Sequence, residues 1–378
     1  MNYLEKILDG EILEWKTLGE VVEIIRGVRI TKNELLSDGK YPVVSGGVGY
    51  MGYTNNYNRD SNTITVAQYG SAGFVKWQTE KFWANDVCFC VNPNVTIILN
   101  RYLYFYLVNK QQNIYDISNR TATPYSIERD KILKLQIPIP CPENPKKSLE
   151  IQQKIVAILD TFTELTAELT AELTARKMQY SYYREKLLIC EESKVEFEVL
   201  ENLADNLDSM RKPVTSGLRE AGQIPYYGAS GIVDYVKDYI FDGEFLLVSE
   251  DGANLLARNT PIAFSVSGKC WVNNHAHVLK FNTYSERRFV EYYLNSIDLT
   301  PFISGAAQPK LNQRNLNSIK IPNPSFKEKE RIVSILDKFD ILTTSISEGL
   351  PKEIALRKQQ YEYYRDLLLK CPKDNLES

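Results

Sequence analysis

Between Ser148 and Cys190, apolar side chains fall at Ile151, Ile155, Ile158, Phe162, Leu165 and Leu169, in alternating steps of four and three. That spacing is the seam of a helix packed lengthwise on another helix. Neither Gly nor Pro interrupts the stretch, and its centre, Thr163 to Ala175, repeats the tetrapeptide Thr-Ala-Glu-Leu. About forty residues at roughly 1.5 Å each make a rod on the order of 60 Å long. No single small domain buries such a rod, so the pattern predicts a partner helix. The same stripe recurs at Ile332, Ile335, Phe339, Leu342 and Ile346, and the two are expected to pair.

The words flanking the two stripes match. Ile155-Val156-Ala157-Ile158-Leu159-Asp160 corresponds to Ile332-Val333-Ser334-Ile335-Leu336-Asp337. Arg176-Lys177-Met178-Gln179-Tyr180-Ser181-Tyr182-Tyr183-Arg184 corresponds to Arg357-Lys358-Gln359-Gln360-Tyr361-Glu362-Tyr363-Tyr364-Arg365. The chain is a duplication with a period of about 180 residues. Ahead of each stripe lie short β-forming runs separated by Gly, Asn and Ser turns, with Leu246 to Gly252 repeating Ile64 to Gly70. Arg101 to Lys110 and Phe289 to Leu294 read as equivalent helices, whereas Leu13 to Ile25 mixes helical and strand spacing. Proline-rich segments, Ile137 to Pro142 and Ile321 to Pro324, hand over to the long helices. The second copy carries about one extra tetrapeptide between Asp337 and Arg357, together with Gly349 and Pro351, which predicts a kink or break there.

The expected fold class is α+β: two similar β-rich globular domains separated by two long helices that pair as an antiparallel coiled coil, with a pseudo-twofold internal repeat. The expected boundaries are 1–147 for the first β-rich domain, 148–192 for the first spacer helix, 193–325 for the second domain and 326–378 for the second spacer helix. Scaffold words are kept between the copies while surface residues of the β-rich parts differ, so the two modules should bind two different things. The 43% hydrophobic and 25% charged residues are ordinary for a globular protein. No apolar run approaches the roughly 20 residues of a membrane span, and Met1 to Trp15 carries acids where a signal peptide is basic and then apolar. A cytoplasmic protein is expected. The six cysteines, Cys88, Cys90, Cys141, Cys190, Cys270 and Cys371, show no CxxC spacing and read as reduced thiols. A net charge of −3 does not itself indicate nucleic acid; a DNA binder would have to gather its 45 Lys and Arg locally.

The order β-rich domain, proline-punctuated strand and long helix ending in Arg-Lys-x-x-x-Tyr-x-Tyr-Tyr-Arg, written twice, resembles the specificity subunit of type I DNA restriction-modification systems. The Thr-Ala-Glu-Leu repeat and the loop Ser304-Gly305-Ala306-Ala307-Gln308-Pro309-Lys310 carry the same resemblance, which covers nearly the whole chain. It implies that each β-rich domain is a target-recognition domain reading one half of a split site in double-stranded DNA. It also implies that the paired helices dock methyltransferase subunits, that restriction subunits are recruited to that core, and that S-adenosylmethionine, ATP and Mg sit on those partners, leaving this chain without a cofactor.

Base edges are read by Arg, Lys, Asn, Gln and acids, and the DNA backbone is held by cations, hydroxyls and main-chain amides. On those grounds the expected DNA contacts are Gln68, Tyr69, Ser71, Lys76, Arg120, Thr121 and Tyr125 in the first domain. In the second they are Asn254, Arg258, Lys269, Asn273, Asn274, Gln308, Lys310, Gln313 and Arg314. A solvated surface role is the plain alternative for each. The Tyr180, Tyr182, Tyr183 cluster and its copy at Tyr361, Tyr363, Tyr364 fit packing between helices first and partner docking second.

Other chemistry is poorly supported. His275 and His277 alternate as if on one face of a strand near Cys270, but no zinc-like ligand set accompanies them, and no metal is expected. Val266-Ser267-Gly268-Lys269 ends like a phosphate loop but lacks its flanking residues. Neither a dinucleotide fingerprint nor an Asn-Pro-Pro-Tyr methylation motif is present, so catalysis is expected to belong to partners. A non-catalytic coiled-coil adaptor for proteins is the alternative, and a fused nuclease or methyltransferase is disfavoured.

Overall fold

The computed structural model describes residues 3–188, 195–305 and 308–369; Cys190, Cys371, Ala306 and Ala307 lie outside them. The chain forms two compact units, one of residues 1–170 with 353–378 and one of residues 171–352. Each is a β-rich domain with parts of both long helices.

In the first unit the strands are β1 (Leu13–Thr17), β2 (Val22–Arg26), β3 (Tyr41–Val44), β4 (Tyr50–Thr54), β5 (Thr63–Ala67), β6 (Val75–Gln78), β7 (Trp83–Ala84), β8 (Cys88–Pro93) and β9 (Gln136–Pro140). They make sheets ordered β2-β8-β5-β6, β4-β3-β7 and β1-β9. The mixed spacing of Leu13 to Ile25 has a simple cause, since it holds β1, one helical turn (Leu18–Val21) and β2. In the second unit the strands are β10 (Phe197–Val199), β11 (Asp205–Asn206), β12 (Ala221–Gly228), β13 (Gly231–Val236), β14 (Phe241–Ser249), β15 (Ala263–Val272), β16 (Ala276–Lys280) and β17 (Lys320–Pro322). A six-stranded sheet runs β11-β16-β14-β15-β12-β13, and β10 pairs with β17. The two copies match in strand order, except that β15 does the work of both β6 and β7. Ile64 faces Val91 and Trp77 in the first, as Leu246 faces Leu279 and Ser265 in the second. A parallel contact, β3 with β7 and β12 with β15, recurs in both.

One helix lies on each main sheet. The helix Asn100–Asn109 buries Tyr102, Leu103, Phe105, Tyr106 and Leu107, and Tyr284–Ser296 buries Phe289, Val290, Tyr292 and Leu294. Each carries an arginine that grips a long helix. Arg101 is 2.7 Å from Asp160 and lies over the rings of Trp77, Tyr104 and Phe105. Its counterpart Arg288 is 2.9 Å from Asp337, with Glu291 at 2.6 Å and Asp340 at 3.2 Å.

The first long helix spans Pro145–Leu188. It begins ahead of Ser148 because Pro145 suits a first helical position and Asn144 Oδ1 accepts from Lys147 N. The second is broken: Phe326–Thr344 ends before a turn, and Leu350–Leu369 starts anew. In the first unit Phe162 stacks on Tyr364, with ring centroids 5.2 Å apart, and Ile155 and Leu159 share a core with Leu368 and Leu369. In the second, Tyr180 and Tyr183 stack on Phe339, while Leu188 shares a core with Ile332, Val333 and Leu336. Both pairings are antiparallel.

Two seam residues are corrected. Leu165 is 37% exposed, and half-buried Thr166 takes its place on the packed face, its hydroxyl hidden in a bond to Phe162 O. Ile346 is 84% exposed because it falls in the turn after Thr344. Ile155 and Ile332 are buried, and Ile158, Phe162, Leu169, Ile335, Phe339 and Leu342 are half-buried. The tyrosine clusters divide: Tyr180, Tyr361 and Tyr364 pack inward, whereas Tyr182 and Tyr363 are exposed.

Candidate functional site

Each main sheet ends the strand after its central pairing in a tight turn onto which a distant loop is stitched. In the first unit Gly70 N donates to Tyr125 O (3.0 Å), Ile127 N to Gln68 O (2.9 Å), and Asn119 and Ser126 exchange backbone bonds. In the second, Gly252 N donates to Pro309 O (3.2 Å), Leu311 N to Glu250 O (2.7 Å), and Ser304 and Lys310 exchange backbone bonds. Gly70 and Gly252 have φ of +74° and +102°, a region side chains disfavour, so glycine makes both turns. The loop Asn119–Ser126 and the loop Ser304–Lys310 are thus the same construction, dressed with different side chains.

Beside the first loop is an open cleft of about 780 Å³ lined by Val48, Gly70, Ser71, Gln112, Tyr115, Asp116, Arg120 and Tyr125. Arg120 lies between the rings of Tyr115 (4.6 Å) and Tyr125 (5.0 Å) and donates from Nε to Ser118 Oγ. The structure therefore brings together three of the expected residues, Ser71, Arg120 and Tyr125. Gln68 and Tyr69 form the turn itself, Thr121 is folded onto Asn119 Oδ1, and Lys76 caps the ring of Tyr50 at 4.4 Å.

Beside the second loop is a cleft of about 830 Å³ lined by Asp251, Gly252, Ala253, Leu256, Ala257, His275, Gln308, Pro309 and Lys310. It gathers Gln308 and Lys310. The exposed pair His275 Nδ1–Asp251 Oδ2, 2.8 Å apart, went unnoticed in the sequence, although Asp251 occupies the position of Tyr69 and the internal alignment pointed to it. Asn274, Gln313, Arg314 and Lys269 are exposed elsewhere, Lys269 over the ring of Tyr239. Three further expected contacts lie outside this cleft. Asn273 is buried and its Oδ1 accepts from His275 N. Asn254 closes a loop by exchanging bonds with the backbone of Thr260. Arg258 lines a different cavity, with Tyr180, Arg184, Glu291 and Tyr292.

Under the second loop lies a buried ionic cluster. His277, fully buried, has Nδ1 2.5 Å from Asp208 Oδ2 and Nε2 2.7 Å from Leu311 O. Glu250 meets Arg211 Nη1 at 2.6 Å and Lys310 Nζ at 3.0 Å. Burial pushes the Asp208 carboxyl up, but the bonds from His277 and Val278 N and the charge of Arg211 hold it below its ordinary value. Glu250 is likewise raised by burial and brought below its ordinary value by Arg211 and Lys310. Asp208, Glu250 and His277 are the one group with metal-ligating proximity among the described residues. Their ligating atoms are already matched by Arg211, Lys310 and one another. The expected neighbourhood of His275, His277 and Cys270 does not form: His275 precedes β16 and faces solvent, and His277 faces the core. The described cysteines, Cys88, Cys90, Cys141 and Cys270, are free thiols.

The family model for the type I restriction modification DNA specificity domain matches the chain twice, over residues 12–176 and 192–356. The chain belongs to that family. It is 34% identical to the EcoR124I/EcoR124II type I restriction enzyme specificity subunit of Escherichia coli, over 99% of this chain and 98% of that one. It is 42% identical to a putative type I restriction enzyme specificity subunit of Haemophilus influenzae over 51% of this chain and 50% of the relative. The fold is similar to that of a type I restriction-modification S subunit from M. genitalium, with a TM-score of 0.67 at 19% identity, covering 96% of this chain and 97% of that one. A chain from a structure of type I complex assembly and conformational transition gives a TM-score of 0.56 at 15% identity over 94% and 97%.

Proposed function

We propose that this chain reads a split site in double-stranded DNA, each unit engaging one half-site with the stitched loop and its cleft. The observation that carries the reading is the duplication of that loop-on-turn construction with a cation and aromatics in one copy and an acid, an imidazole and an amide in the other. Arginine pairs with guanine, and carboxylates and amides pair with the amino groups of cytosine and adenine, so the two clefts suit different bases. Phosphate contacts from Lys76, Lys269, Gln313 and Arg314 would set register without reading sequence. The chain acts as a non-catalytic scaffold in the cytoplasm, docking methyltransferase subunits on the outward tyrosines Tyr182 and Tyr363 and recruiting restriction subunits, with S-adenosylmethionine, ATP and Mg held by those partners.

The test is Arg120→Ala in the complex with methyltransferase subunits. Discrimination at the first half-site is expected to drop by about ten-fold or more, the size of one base-reading contact, with the second half-site unaffected. Full retention at both half-sites refutes the assignment. Binding of S-adenosylmethionine by the isolated chain would refute the non-catalytic part.

A further inference from the structure

We propose that His277 is a positioning residue for the segment Gln308–Leu311 of the second recognition loop, and through it for sequence discrimination at one half-site only. The inference rests on the reading that this loop meets DNA. Its ground is a difference between two otherwise matched copies. Across the sheets, Val66 faces Phe89 in the first unit and Val248 faces His277 in the second. By the same register Gln68 stands where Glu250 does, and Arg26 lies opposite Phe89 where Asp208 stands beside His277.

Both loops share the backbone stitch to the turn, and the first adds one bond from its own Arg120 Nη2 to Ala72 O (3.3 Å), but only the second is held by buried side chains of the sheet beneath it. His277 Nε2 donates to Leu311 O, since a carbonyl oxygen can only accept. A proton is held between Nδ1 and the Asp208 carboxylate, and Asp208 Oδ1 in turn accepts from Val278 N. Glu250 takes Lys310 from the loop and Arg211 from the opposite side, and Arg211 also donates to Ala276 O. The ring thus ties the loop to β16 and to the turn after β11. Phe89 has no donor to offer its loop. Burying so many charges is costly against an apolar isostere, and a fully satisfied network fixes geometry in return. The charged groups facing the ring are Asp208, Glu250, Arg211 and Lys310, and every one is paired within the cluster.

The variants His277→Phe and Glu250→Gln each install the first copy's residue, and His277→Gln keeps an amide donor for Leu311 O. In the complex with methyltransferase subunits, two quantities are read: hydrogen exchange of peptides covering 304–311 and 119–127, and competition by duplexes with either half-site scrambled. For His277→Phe and Glu250→Gln, exchange over 304–311 is expected to quicken about ten-fold, as for loss of one buried hydrogen bond. Discrimination at one half-site should fall by a similar factor, while 119–127 and the other half-site stay at wild-type values. His277→Gln should recover most of the protection. Unchanged exchange over 304–311 in a folded His277→Phe or Glu250→Gln chain overturns the proposal; so does quickened exchange with both half-sites still discriminated, or exchange raised evenly through the second unit. If His277→Phe does not fold, Glu250→Gln and His277→Gln decide the matter. A wild-type complex that discriminates neither half-site refutes the DNA reading instead, and the exchange measurement still decides the clamp.

Discussion

Asp208 and Glu250 are carboxylates with almost no access to water, so their charge depends on neighbours. Each has its carboxyl held below its ordinary value, 3.8 for Asp208 and 4.5 for Glu250, despite burial that pushes the other way. A depressed acid contributes stability that is present above the unfolded value and lost as pH falls through the folded one. Asp208→Asn should therefore cost about 3 kcal/mol at about pH 6, the scale of breaking a buried ionic contact. The gap to wild type should narrow once pH drops below 3.8. Urea titrations across that range check it, and a gap that stays constant would contradict the buried pairing. At this scale the sequence was only partly legible. Residue type marked Arg120, Tyr125, Gln308 and Lys310 as chemistry-bearing, and they do gather in clefts. Asn254 and Asn273 carry the same chemistry but spend it on backbone groups, a choice made by loop closure that composition does not reveal. Lys310 serves both roles, with half its side chain exposed and its ammonium on Glu250.

The same device fastens both sheet-covering helices to the long helices. Arg101–Asp160 and Arg288–Asp337 occupy equivalent positions but differ in surroundings. Around Arg101 are aromatic faces, and its side chain is 24% exposed. Around Arg288 are Glu291, Asp337 and Asp340, and it is 13% exposed. Arg101→Ala should cost about 1 to 2 kcal/mol, an ion pair plus ring contacts. Arg288→Ala strands several acids in a partly buried site and should cost about 3 to 5 kcal/mol. Thermal denaturation of the two variants should rank them in that order. Adding Asp337→Asn to Arg288→Ala should recover part of the loss, because the cost lies in the acid left behind. Long elements were well marked in the sequence by their period, and Gly349 with Pro351 marked the break. Apolar spacing alone misplaces the seam by one position at Leu165, because Thr can join an apolar face when its hydroxyl bonds the preceding turn.

Duplication was the most legible property of the whole chain, yet the composition of each unit was not. The residues from Glu353 onward belong with the first unit and those from Ala171 with the second, a long-range closure that no local pattern encodes. One property of the whole molecule follows from the repeat. The helix Pro145–Leu188 runs unbroken through Thr163 to Ala175, and Thr166 and Thr170 each bond the carbonyl four residues back, so one tetrapeptide can be removed without stranding a polar group. Removing four residues shortens a helix by roughly 6 Å and turns it about 40° relative to a full circle. One base pair advances DNA by roughly 3.4 Å and turns it by about 34 to 36°. The second copy already tolerates such a change, taking up its extra residues in the turn between Thr344 and Leu350. Deleting Thr166 to Leu169 should accordingly shift the preferred gap between half-sites by about one base pair and leave both half-site sequences as they were. Methylation of a duplex library with graded gaps measures this directly. An unmoved gap preference would show that the helix does not set the spacing, and a changed half-site sequence would show that the deletion had disturbed the clefts themselves.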